Sequence, residues 1–241
     1  MRSVGNESSS DENALKVRRN DMPSVVSDTA GRLLLSAARL FWQKGYAAAS
    51  TREVAAQLGI QRASLYYHIK SKEDLLYDLS VASLADIEAQ TRTALDGQHD
   101  PLGSLRALIR AHITSMSNGR EMHATMLTEL RSLSPEHRLD VIGRRDAYEA
   151  LVRTILETCQ QAGAVRQDIS ARLLGRCLLN LMNWSIFWFD PAGKVSTGEL
   201  ATVIQTIFLE GTLTPDHASG TREVYVRQTG LPADSLADRE P

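Results

Sequence analysis

The stretch "STREVAAQLGIQRASLYYHIKSKEDLL", residues 50–76, decides the fold class. Ser50 followed three residues later by Glu53 is a capping box, which predicts a helix from Thr51. That helix buries Val54, Ala55 and Leu58 and stops at Gly59. A second short helix starts near Arg62 and ends near Ile69, so residues 50–69 read as a helix-turn-helix. At about 100° per residue, Leu65 and Ile69 share the apolar back of this helix. Ala63, Ser64 and Tyr67 form the opposite face, with Tyr66 and His68 on its two flanks. A helix that enters the DNA major groove needs this layout. Its front reads base edges, and its shoulders reach the phosphates on either side.

Outward from this segment, the chain reads as all-α. Its 241 residues are 43% hydrophobic, which is enough for one large domain or a small domain plus a larger one. Apolar residues recur at helical rather than alternating spacing. Residues 1–26 are polar, with a small basic cluster at Lys16, Arg18 and Arg19, and read as a disordered extension. Ser27 or Asp28 caps a first helix that runs to Gln43. A fourth helix, capped by Ser71 and Asp74, runs to about Leu95. Five more follow, over roughly 101–116, 120–132, 135–162, 169–189 and 197–211, for about nine in all. The organisation expected is a DNA-binding head at 27–78, a helical body at 79–214 and a polar tail at 215–241.

Charge divides the chain the same way. Residues 1–72 hold 11 Lys and Arg against 6 Asp and Glu, and residues 73–241 hold 16 against 23. A head of +5 on a body of −7 suits a head that meets a polyanion. Cys159 and Cys177 have no CxxC spacing and read as buried, reduced thiols of a cytoplasmic protein. The N-terminus lacks the apolar core of a signal peptide. The longest uncharged stretch, 177–189, is too short to span a membrane. No nucleotide-binding, nucleophile-elbow or metalloprotease motif occurs, and the histidines and cysteines lack metal-ligand spacing, so neither an enzyme, a cofactor nor a metal is expected.

Residues 30–78 resemble the DNA-binding domain of the TetR family of bacterial transcriptional regulators. The likeness lies in the Thr51–Val54–Ala55 helix, the turn glycine, the Ser-Leu-Tyr-x-His recognition helix (64–68) and the Lys72…Leu75-Leu76 that follows. It implies phosphate contacts from Thr51, Tyr66, His68 and Lys72, and base reading by Arg62, Ser64 and Tyr67, with Arg52. The DNA-facing set expected is therefore Ser50, Thr51, Arg52, Arg62, Ala63, Ser64, Tyr66, Tyr67, His68 and Lys72. The stretch 175–212, with Asn183-Trp184 ahead of Trp188-Phe189-Asp190-Pro191-Ala192-Gly193, is similar to the C-terminal domains of a TetR subgroup that senses acyl-CoA thioesters or other hydrophobic metabolites.

That resemblance implies a homodimer on a palindromic operator, joined through the last two helices. The residues expected at the interface are Leu174, Leu178, Leu181, Leu200, Val203, Ile204, Ile207 and Phe208. A pocket for a small hydrophobic effector is expected among the central helices, with Met116, Met122, Met126, Leu130, Trp184, Phe187 and Trp188 as candidate lining, because thioethers and aromatic rings adapt to apolar ligands. Arg131, Arg144 and Arg145 could meet an anionic group of the ligand, although solvated helix charge is the first reading for each. The sequence thus points to a ligand-responsive regulator, expected to be a repressor. A drug-sensing regulator of an efflux gene and a helical adaptor without DNA binding stay open as alternatives.

Overall fold

The computed structural model describes residues 29–212. The predicted extension at 1–26, the first helix's cap at Ser27 or Asp28 and the tail at 215–241 lie outside it. Among the described residues are nine α-helices: α1 Thr29–Lys44, α2 Thr51–Gln57, α3 Arg62–His68, α4 Lys72–Leu95, α5 Pro101–Asn118, α6 Arg120–Thr128, α7 Pro135–Gln161, α8 Ala171–Trp184 and α9 Thr197–Thr212.

Local sequence sets their ends. The Glu53 amide donates to Ser50 Oγ (3.3 Å) while Glu53 Oε2 accepts from the Ser50 amide (3.0 Å), closing the box that starts α2. Ser71 caps α4, Asp100 caps α5 with Pro101 in its first turn, and Ser134 caps α7 with Pro135 behind it. Gly59, the turn residue between α2 and α3, has φ of 66°, where an L side chain would be strained.

Two apolar cores form. In the head, Leu33, Ala37 and Phe41 of α1 meet Val54 and Ala55 of α2, Leu65 and Ile69 around α3, and Leu75, Leu76 and Leu79 of α4. Leu65 is fully buried, so Leu65→Ala would cost about 2–5 kcal/mol. This core does not end at residue 79, because Met122, Met126, Leu133 and Val141 belong to it. The second core joins α5, α7, α8 and α9.

Three features differ from the sequence reading. The helix expected over 169–189 ends at Trp184 and tightens into a 3₁₀ turn at Ser185–Phe187, where the Ser185 hydroxyl donates to the Met182 carbonyl (2.6 Å) and competes with the helical pattern. The helix expected over 120–132 likewise stops at Thr128 before a 3₁₀ turn at Leu130–Ser132. Cys159 is buried as expected, but Cys177 is exposed, because it lies on the outer face of α8.

Candidate DNA interface and effector cavity

The back of α3 is set by Leu65 and Ile69, so its front points away from the protein. Ala63, Ser64 and His68 are exposed, and Tyr67 is 89% exposed with its ring edge against His68. Arg62 opens the helix, and its side chain lies outside the described atoms. The hydroxyls of Thr51 and Tyr66 sit 3.0 Å apart, linking the start of α2 to the middle of α3. Ser50 and Arg52 are exposed at the same end of α2.

Lys72 is held rather than free. Its ammonium lies 4.1 Å from the centre of the Tyr46 ring and 3.4 Å from the Ala47 carbonyl. Burial lowers its pKa. Glu53, bound first by Lys44 and then by Ser50, has its carboxyl held down to about 2. It is therefore ionised and keeps the α2 cap closed. The ten residues expected to face DNA thus come from α2, α3 and the start of α4.

The body contains a cavity of about 330 Å³ among helices α4 to α8. Its apolar lining is Leu84, Ile87, Met126, Leu127, Ile142 and Leu179, and its uncharged polar lining is His112, His123, Tyr148, Asn180 and Asn183. Arg145, Asp146, Glu149 and Arg176 complete the charged part of the lining, and Arg176 donates to Glu149 (3.0 Å). The His112 and His123 rings are buried, which pushes their pKa down to about 3 and about 4, so both are neutral.

Of the seven residues expected to line a pocket, Met126 alone lines this one. Met116 and Met122 are buried in the two cores, and Leu130 packs against the head core. Trp184 (67% exposed), Phe187 and Trp188 point outward, because α8 is oriented by Leu174, Leu178 and Met182 facing in. Arg145 is half-buried on the cavity instead of being only a solvated charge. The sequence reading missed His112, His123, Tyr148 and Asn183. Histidines on the buried faces of α5 and α6, where apolar residues belong, were the available signal.

The dimer residues divide in a similar way. Leu174, Leu178, Leu200, Ile204 and Phe208 are buried within the single subunit, so they have no surface to offer a partner. Leu181 is half-buried, while Val203 and Ile207 are exposed, as are Leu173 and Trp184.

Among the described residues one cluster has the make-up of a metal site: Glu73, Asp74 and His137. Its ligand atoms are already engaged. Glu73 binds His137 and the Ser134 amide, and Asp74 binds the Ser71 cap. No described helix is long and apolar enough to cross a membrane.

Comparison with known proteins agrees with this geometry. Residues 33–79 match the family described as bacterial regulatory proteins, tetR family, and residues 98–212 match a tetracyclin repressor-like C-terminal domain. The TetR family transcriptional regulator PfmR from Thermus thermophilus is 37% identical, with a TM-score of 0.70 over 74% of this chain and 97% of its own. The HTH-type transcriptional repressor KstR2 of Rhodococcus jostii (strain RHA1) is 26% identical over 200 residues, 80% of this chain and 98% of its own. AibR, solved in complex with isovaleryl coenzyme A and operator DNA, is 25% identical with a TM-score of 0.68, over 75% of this chain and 97% of its own. With a recognition helix presented on its own core and both halves of the chain matched, this protein belongs to the TetR family and is a DNA-binding transcriptional regulator, not an enzyme.

Proposed function

We propose that the protein is a homodimeric repressor that releases a palindromic operator when a small hydrophobic effector, of the acyl-CoA or hydrophobic-acid class, enters the 330 Å³ cavity. One observation carries this reading. Leu84 and Ile87 on the cavity wall belong to α4, the helix that begins four residues after the recognition helix ends. A ligand that changes the seat of α4 therefore acts on the element that carries the head. The lining also includes Met126 of α6, on which α1 packs, and Thr125 of α6 donates to the Ala38 carbonyl of α1 (3.5 Å). The acyl-CoA class is supported by AibR, whose structure contains isovaleryl coenzyme A and operator DNA.

In a dimer, an effector that prefers one spacing of the two heads moves the recognition helices out of register with successive grooves, roughly 34 Å apart. The shift can be no larger than the difference in effector affinity between the two spacings. The exposed Leu173, Trp184, Val203 and Ile207 on α8 and α9 are the apolar surface a partner would cover.

The test is to titrate acyl-CoAs of different chain length, free fatty acids and cationic dyes into a complex with labelled operator while following fluorescence anisotropy. Release by acyl-CoAs or fatty acids is expected. Release by cationic dyes alone would replace this reading with a drug-sensing regulator.

A further inference from the structure

The cavity wall carries a chain of polar groups whose hydrogen bonds run in one direction. Thr91 Oγ1 lies 3.1 Å from the Tyr148 hydroxyl, which lies 3.1 Å from His112 Nδ1, and His112 Nε2 lies 3.2 Å from Asn183 Oδ1. Thr91, Tyr148 and His112 are buried, His112 to 1% exposure. A neutral imidazole has one N–H. Asn183 Oδ1 can only accept, so that proton is on Nε2, and Nδ1 accepts from the Tyr148 hydroxyl. The Tyr148 oxygen then accepts from Thr91.

Each group in the chain is satisfied except at its end. The Asn183 Nδ2 amide keeps two protons, and the side chain makes no other hydrogen bond among the described residues. Asn183 is half-buried and lines the cavity.

The second buried histidine offers nothing comparable. Ser115 donates its proton to Asp86 Oδ2 (2.6 Å), so it accepts from His123 Nε2 (3.3 Å), and Ser83 donates to His123 Nδ1 (2.7 Å). That circuit is closed. The charges in the lining are two arginines and two carboxylates, which cancel and select neither sign. Asn180 also lines the cavity but is exposed to solvent, so discrimination falls on the half-buried Asn183 amide, which the buried hydrogen-bond chain holds in place.

From this geometry we infer that Asn183 is the specificity residue of the effector site, donating from Nδ2 to a carbonyl oxygen on the apolar part of the ligand. The inference rests on the cavity being the effector site. An acyl-CoA offers such an oxygen either as its thioester carbonyl or as an oxo group farther along the chain. Thr91, Tyr148 and His112 are positioning residues: they fix the amide with its donors toward the cavity. A ligand with no carbonyl on its apolar part leaves the amide unpaired, and a site built around a hydrogen bond discriminates against that loss.

The test is calorimetric titration of the DNA-free protein with hexanoyl-CoA, its thioether analogue S-hexyl-CoA, and an oxohexanoyl-CoA. A probe with a carbonyl on its six-carbon chain should bind about tenfold more tightly than S-hexyl-CoA, whose carbonyls are confined to the pantetheine arm. If hexanoyl-CoA shows the advantage, the thioester carbonyl is the group read. If only the oxo compound shows it, the distal oxygen is. Asn183→Asp keeps an acceptor for His112 but removes the amide donors, and should abolish the advantage while S-hexyl-CoA binding stays within a few fold. Asn183→Leu, with its melting temperature checked, should do the same. Equal binding of all three probes, or an advantage that survives both substitutions, overturns the role of Asn183 but leaves the cavity as the effector site. Binding of none of them overturns both.

Discussion

His137 of α7 sits with Nδ1 2.9 Å from both carboxylate oxygens of Glu73, in the first turn of α4. The imidazole also stacks on Tyr77, with ring centres 3.9 Å apart and planes 11° apart, and the Tyr77 hydroxyl donates to Asp140 (2.9 Å). The Ser134 amide donates to the same Glu73 carboxylate (2.8 Å). These contacts clamp the start of α4, just beyond the recognition helix, to α7, which also lines the cavity.

Loosening this clamp should uncouple the two sites. His137→Ala and Tyr77→Ala should each leave effector binding and operator binding within a few fold when measured separately. The ratio of operator Kd with and without effector, commonly about 5–150-fold in such systems, should fall toward one. Linkage requires the same loss in how far operator weakens effector binding. Anisotropy titrations across the cycle measure both.

The clamp should also respond to pH. The hydrogen bond to Glu73 raises the His137 pKa, with Asp74 and Glu136 adding to it. A raised histidine contributes fully below its ordinary pKa of about 6.5 and loses that contribution as pH rises through the raised value. Coupling should therefore weaken on the alkaline side of that window, and His137→Phe, which keeps the stack, should be insensitive to it.

The buried histidines predict the opposite trend in stability. His112 and His123 have pKa values depressed to about 3 and about 4, first of all by burial. Below about pH 6.5 the unfolded chain takes up protons that the folded one refuses. Their contribution is whole above that pH and falls as pH drops toward the folded values. The loss is on the order of 1 kcal/mol per histidine by pH 5.5. Thermal melts at pH 7.5 and 5.5 should show it, and His123→Gln should reduce the difference.

The head was legible in the sequence because its signals are short-range. The Ser50–Glu53 box, Gly59 and the four-residue spacing of Leu65 and Ile69 each fix local geometry, and together they leave one orientation for Tyr67. The cavity was not legible, because His112, Tyr148 and Asn183 come from three helices and no spacing along the chain marks their meeting. The faces of α8 and α9 failed for another reason. Leu174, Leu178 and Met182 make one apolar stripe, while Leu173, Cys177, Leu181 and Trp184 make a second beside it. The choice between them is set by packing on α5 and α7. On α9, Leu200, Ile204 and Phe208 compete in the same way with Val203 and Ile207.

That division changes how the proposed dimer is tested. Ile207, 60% exposed, should tolerate Glu in the folded subunit, so Ile207→Glu should give a folded monomer with weak operator binding. Ile204→Glu buries a carboxylate and should unfold the subunit instead. Sedimentation and circular dichroism separate the two outcomes. A native protein that is monomeric at micromolar concentration would rule the dimer out.

The most direct test of the central claim, sequence-specific DNA recognition by α3, is anisotropy titration of an operator fragment selected from genomic DNA, against a scrambled duplex, at several salt concentrations. The account predicts a preference of about 10³ or more for the operator and affinity that falls steeply with salt. Tyr67→Ala should erode the preference by about 1–3 kcal/mol, while Lys72→Ala should weaken both duplexes alike and reduce the salt slope by about one. Equal, salt-insensitive binding of the two duplexes, or a Tyr67→Ala variant that keeps the full preference, would contradict it.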